Sequence, residues 1–95
     1  MKFEWDEAKN ELNIQRHGFD FADAERVFTD PSPFFVRLDT REDYGEDRWQ
    51  GIGMLDGIII VMIVFTEPHT NVVRIISMRK ATKNECRAYE KRIKN

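Results

Sequence analysis

The chain has 95 residues, 41% hydrophobic and 34% charged, with one cysteine. A length of this order fits one domain, residues 1–95, around one modest core, and the balance excludes a disordered or fibrous chain. Cys86 alone excludes an internal disulfide and a cysteine cluster for zinc, and the longest apolar run, Ile58 to Phe65, is far short of the roughly twenty residues that cross a bilayer. The opening Met1–Asp6 holds no signal-peptide core, so the expected location is cytoplasmic, with no membrane contact.

The net charge of −2 hides an asymmetry. Residues 1–47 hold 13 acidic and 6 basic side chains, whereas residues 48–95 hold 9 basic and 4 acidic. A basic second half suits a phosphate-binding surface, and equally a solvated helix.

In chain order, Phe3-Glu4-Trp5 reads as a short strand and Asp6 as the N-cap of a helix. Ala8, Leu12 and Ile14 give that helix a narrow apolar stripe, and Gly18 follows Arg16 and His17 as its left-handed stop. A second helix is expected from Asp20, with Phe21, Ala24, Val27 and Phe28 at helical spacing, ended by Asp30-Pro31-Ser32-Pro33. Phe34–Leu38 reads as a strand, 40–47 as a charged loop, and Arg48–Leu55 as a strand ending in an Asp56-Gly57 type I′ hairpin. Ile58–Thr66, apolar through Phe65, reads as a central strand covered on both faces. Glu67–Asn71 is expected to break it before a last strand, Val72–Met78. Thr82-Lys83-Asn84-Glu85 matches a capping box and opens the final helix. Consecutive strands with short turns imply an antiparallel meander, hence an α+β fold with two N-terminal helices and one C-terminal helix.

The last helix has two faces. Cys86, Tyr89 and Ile93 form an apolar stripe; Lys83, Arg87, Lys91 and Lys94 form a basic one, which could track a phosphate backbone or merely face water. Gly-rich phosphate loops, HExxH motifs and serine elbows are missing, and the two histidines are not at metal-ligand spacing. The reading therefore calls for no cofactor and no metal. Arg74 interrupts the apolar Val72–Ile76 stretch, so it needs a carboxylate on a neighbouring strand or a functional purpose. Trp49 alternates with Gly51 and Gly53, which leaves an open face where a base could stack or a partner segment could dock.

Phe3–Asp6, Lys9, Asn13, Arg16-His17-Gly18, Phe21, Ala24, Val27-Phe28, Asp30-Pro31, Arg48, Ile52-Gly53, Thr66, Arg74–Thr82, Glu85 and Tyr89 together resemble the BrnT family over nearly the whole chain. The chain departs from the family pattern at Ile58, Glu67 and Cys86, where basic residues are common. The resemblance implies a RelE-like ribonuclease toxin of a type II toxin–antitoxin system that blocks translation by metal-independent RNA cleavage. It implies an RNA substrate, free or on the ribosome. It also implies a BrnA-like, ribbon-helix-helix antitoxin, and contact with operator DNA only through that antitoxin. The departures leave an alternative: a weak or inactive toxin-like module that serves as antitoxin partner and co-repressor.

Such a nuclease uses the RNA 2′-OH as nucleophile, so the protein must supply alignment, proton transfer and cations around the phosphorane. Arg79, Arg74 and Arg48 are the candidate phosphate clamps, in that order, because guanidinium forks match phosphate oxygens. His17 is the candidate acid or base, since imidazole generally titrates near neutrality; Lys9, eight residues earlier, would share its helix face. The plainer roles are a helix-end cation for His17 and a solvated lysine for Lys9. Lys80, Lys83, Arg87 and Lys91 are the candidate RNA-binding cations. His69 reads as surface, Tyr89 and Cys86 as core, and Glu67 as a weak candidate base. The cations of the later strands are expected to converge on one hollow.

Overall fold

The structure is a computed structural model and describes residues 1–94. In chain order it contains β1 (Lys2–Trp5), α1 (Glu7–His17), a 3-10 turn (Phe21–Asp23), α2 (Ala24–Phe28), β2 (Phe35–Leu38), β3 (Trp49–Leu55), β4 (Ile59–His69), β5 (Val72–Lys80) and α3 (Lys83–Lys94). The five strands form one sheet in the order β1-β5-β4-β3-β2.

The sheet is mixed, which corrects the wholly antiparallel expectation. β2 to β5 do form an antiparallel meander, but β1 pairs parallel to β5. The meander rule covers only strands joined by short turns. β1 is joined to β2 through α1 and α2, which carry the chain from one edge of the sheet to the other. The second helix is also shorter than expected. Asp20 accepts a hydrogen bond from Ala22 N (2.9 Å) and the Asp23 N–H bonds Asp20 O (2.9 Å), so the segment opens as a 3-10 turn and only five α-helical residues follow. Its apolar spacing still holds: Phe21, Ala24 and Val27 are buried.

α1 overturns its expected stripe. Leu12 and Ile14 are 50% and 40% exposed, and the buried positions are Asn10 and Asn13. β1 ends opposite Ile75, so the edge of β5 beyond it has no strand neighbour. The Asn13 carboxamide fills that place. Its Nδ2 donates to Met78 O (2.8 Å) and Phe19 O (3.0 Å), and its Oδ1 accepts from Met78 N (3.1 Å). Asn10 accepts from Phe21 N (2.8 Å) and donates to Asp20 Oδ1 (2.9 Å). Buried backbone groups must find partners, and here two side-chain amides supply them.

The strand and turn readings otherwise hold with small shifts. β4 is central and buried from Ile60 through Thr66. It runs on to His69 instead of breaking at Glu67; the register slips between Thr66 and His69, where Pro68 has no N–H to offer the ladder. Asp56 and Gly57 both take positive φ (55° and 68°), as a type I′ turn requires. The Trp49 face is not open. An added Cβ at Gly51 or Gly53 would collide with the Phe34 ring, so Phe34 packs directly on the two glycines and the expected base-stacking or docking platform is core.

The core has two layers. On one face of the sheet, Phe21 of the 3-10 turn, α2 and Phe34 cover Val61, Ile63, Phe65, Val73, Ile75 and Met78. On the other, α3 places Tyr89 and Cys86 against Ile52, Met54 and Ile60, and the Tyr89 hydroxyl donates to Pro33 O (2.6 Å). Ile93 is 43% exposed, so the apolar stripe of α3 is shorter than expected.

Candidate nucleic-acid interface

Residues directly opposite in a sheet share a face. Arg79 pairs with Met62, Ser77 with Val64 and Arg74 with Thr66, and the bulge between these pairs absorbs Ile76. Arg48 lies just outside β3, one residue before Trp49, which pairs with Phe65; the same register continued by one residue would set it beside Thr66. Arg48, Arg74 and Arg79 therefore share one face, the face that α3 covers only over Ile52, Met54 and Ile60.

They are not three free cations, and this corrects the expected convergence. Arg74 donates Nε to Glu4 Oε2 (2.7 Å), across the β1–β5 pair, and its Nη2 lies 2.7 Å from the same oxygen. Arg79 is bidentate to Glu85: Nη1 to Oε1 at 2.8 Å and Nη2 to Oε2 at 3.0 Å. Glu85 is also the capping-box residue, accepting from Thr82 N (2.8 Å) while its own N–H bonds Thr82 Oγ1 (3.2 Å). The Arg79 fork, aided by the Thr82 amide, holds the Glu85 carboxyl at about 2 against the opposing effect of burial, and Glu85 raises Arg79 in return.

Arg48 differs. Its guanidinium carbon lies 4.1 Å from the Tyr44 ring centroid, and its Nε is buried without a hydrogen-bond partner among the described residues. The adjacent carboxylate, Asp39, is taken by Arg41 at 2.8 and 2.7 Å, which together with burial-opposed hydrogen bonding holds Asp39 at about 2. Among the described residues, Thr66 Oγ1 is the other buried side-chain polar atom without a partner. Thr66 carries the family resemblance without an expected role. Its signal is that it is the first polar residue after an eight-residue apolar run.

Lys9 and His17 come together as expected. With Arg16, Asn13, Ile76 and Ser77 they line a hollow of about 170 Å³ between α1 and the edge of β5. Arg16 and Ser77 were not singled out from the sequence. The basic residues of α3 are exposed, and Lys83, Arg87 and Lys91 form no ion pair among the described residues. Lys80 departs from them: it pairs with Val61, so it leaves the sheet on the face opposite Arg79. A further cleft of about 200 Å³ lies between β2 and α3, where Arg92 stacks over Phe35 at 4.0 Å and Arg37 donates to Gln50 (2.9 Å). His69 is exposed and stands at the far end of β4. Among the described residues, no group of three His, Cys, Asp or Glu comes together to hold a metal ion, and no helix is long and apolar enough to cross a membrane.

A small mixed sheet with helices on both faces and arginines on the partly uncovered face defines a compact α+β protein. The comparisons make the class specific. The family model described as "Ribonuclease toxin, BrnT, of type II toxin-antitoxin system" matches residues 5–85, and the chain belongs to this family. It is similar to the crystal structure of the Brucella abortus ribonuclease toxin BrnT, with 33% identity over 87% of this chain and 99% of that one and a TM-score of 0.65. No curated protein matches the chain.

Proposed function

We propose that this chain is an endoribonuclease that cleaves RNA without a metal ion and is silenced by a BrnA-like, ribbon-helix-helix antitoxin. The observation that carries the reading is the alignment of Arg48, Arg74 and Arg79 on one sheet face, within a family of ribonuclease toxins. RNA brings its own nucleophile. The 2′-oxygen attacks the adjacent phosphorus, the 5′-oxygen leaves, and the products are a 2′,3′-cyclic phosphate and a 5′-hydroxyl. The protein then has to align three atoms, move one proton from the 2′-OH and one to the 5′-oxygen, and stabilise the charge of the phosphorane.

Arg48 and Arg74 are the clamps in this reading. Arg74 is steadied by Glu4 and still has Nη1 to donate. Arg79 joins them only when its fork leaves Glu85. His17 and Lys9, from the hollow at the β5 edge, are the candidates for proton transfer and for a neighbouring phosphate. Lys83, Arg87 and Lys91 extend the positive field along α3, with Lys80 a peripheral contact at most. The fold is expected to be RelE-like, the location cytoplasmic where translated message is met, and operator DNA to be contacted only through the antitoxin.

A second reading is favoured by the ion pairs: with two of the three strand arginines neutralised, the chain is an antitoxin partner and co-repressor without catalysis. One experiment separates them. Purified chain is incubated with free RNA in EDTA, and in parallel its expression is induced in cells with and without the neighbouring small open reading frame. The nuclease reading expects cut RNA, growth arrest, rescue by the partner, and loss of cutting in Arg48→Ala. Intact RNA and unarrested growth alongside a tight complex would establish the second reading.

A further inference from the structure

We propose that Arg48, Thr66 and Arg74 form a slot for one phosphate group of a polynucleotide, with the Thr66 hydroxyl at its centre. The register sets Glu4, Arg74 and Thr66 in a row, and Arg48 and Asp39 stand one residue beyond the ends of β3 and β2. Glu4 pairs with Arg74 and Arg74 with Thr66; Arg48 precedes Trp49, the partner of Phe65, so the continued register brings it to the far side of Thr66, and the Asp39 N–H bonds Arg48 O (2.7 Å). The order is acid, arginine, hydroxyl, arginine, acid.

The outer carboxylates behave unequally. Glu4 steadies Arg74 but uses only its Nε and Nη2. Asp39 is drawn away by Arg41, with Tyr44 a weaker contact at 3.4 Å, so it does not neutralise Arg48. Between the arginines Thr66 is 2% exposed, yet its hydroxyl has no partner among the described residues, nor has the buried Arg48 Nε. Native structures rarely leave such groups unmatched, and two of them, one in β4 and one at the entry to its neighbour β3, mark a place prepared for an acceptor. Donors on both sides and one between them suit a tetrahedral oxyanion, which offers more oxygens than a carboxylate. Placing a polynucleotide there rests on the nuclease reading above; the anion chemistry of the slot does not.

The test compares wild type, Thr66→Val and Thr66→Ser in the full chain. One probe is an all-2′-deoxy single-stranded oligonucleotide, which binds but has no nucleophile; the other is inorganic phosphate. Affinity is read by fluorescence anisotropy for the oligonucleotide and by the rise in unfolding temperature for phosphate. Thr66→Val replaces an unmatched hydroxyl with a methyl of the same shape, so its unfolding midpoint should equal or exceed wild type. Its oligonucleotide affinity should fall roughly tenfold, the loss of one hydrogen bond to a charged group, while Thr66→Ser stays within about twofold. Arg48→Gln should weaken the same probe even if Thr66→Val does not fold. Unchanged affinity of Thr66→Val or Arg48→Gln for both probes overturns the slot. Sensitivity to phosphate alone overturns the polynucleotide assignment. If wild type binds the deoxy probe through Thr66 yet leaves RNA intact, the slot stands and the nuclease reading falls.

Discussion

Replacing Glu85 with Gln should cost stability in a way that depends on pH. Gln can still serve the capping box, so the Thr82 amide keeps an acceptor. What is lost is the charge facing Arg79. In the folded chain the Glu85 carboxyl lies at about 2 instead of its ordinary 4.5. At 1.36 kcal/mol per pH unit that gap has an upper value of about 3 kcal/mol. Both side chains are partly exposed (35% for Arg79, 25% for Glu85), so solvent screening reduces the figure to about 1–2 kcal/mol. A carboxyl with a lowered folded-state value stabilises the fold fully above its unfolded value and loses that contribution as pH falls toward the folded one. Wild type should therefore exceed Glu85→Gln by about 1–2 kcal/mol at pH 7, and the difference should shrink between about pH 4.5 and pH 2. Urea unfolding of both proteins across pH 7 to 2 measures it. Asp39 also titrates low, but it is common to both proteins and cancels in the difference. A gap that stays constant with pH would refute the assignment, because a lost neutral hydrogen bond or a packing defect does not titrate.

The same substitution should strengthen oligonucleotide binding at pH 7, since it frees the Arg79 fork; anisotropy at fixed salt reads this, and weaker binding would count against Arg79 as a clamp. Asn13→Leu should destabilise by about 2–4 kcal/mol, because Met78 loses partners for both its N–H and its C=O, whereas Leu12→Ala, half exposed, should stay within about 1 kcal/mol. Denaturant midpoints check the pair. Gly53→Ala should cost about 1–3 kcal/mol, as the new Cβ would stand 2.6 Å from Phe34 Cδ1; the same collision should be relieved in a Phe34→Leu background. Neutralising Lys83, Arg87 and Lys91 together should lower the slope of log affinity against log salt by up to about 2, and an unchanged slope would remove α3 from the RNA path.

Much of the local structure was legible because it rests on short-range chemistry. Asp6, Gly18, Asp56-Gly57 and the Thr82–Glu85 box each cap or turn the chain through atoms a few residues apart, and their residue types alone specify them. The unbroken apolar run of β4 likewise announced a strand with no solvent face. That Lys9 and His17 line one hollow followed from helical periodicity. None of these readings needed a partner from elsewhere in the chain.

Tertiary structure decided the rest. The parallel placement of β1 depends on which edge of the sheet the first strand meets, 70 residues away in sequence. Nothing local marks Asn13 as structural; only the unpaired end of β5 turns its amide into a clamp. Trp49, Gly51 and Gly53 suggested an open platform until Phe34 filled it. The arginines show the division most clearly. Their identity and spacing announced a cationic strand, but whether each guanidinium stands free is set by carboxylates from other elements. Glu4 takes Arg74 and Glu85 takes Arg79, while Arg41 draws Asp39 away from Arg48. Charge is written in the sequence; its neutralisation is a matter of distances that only the folded chain defines.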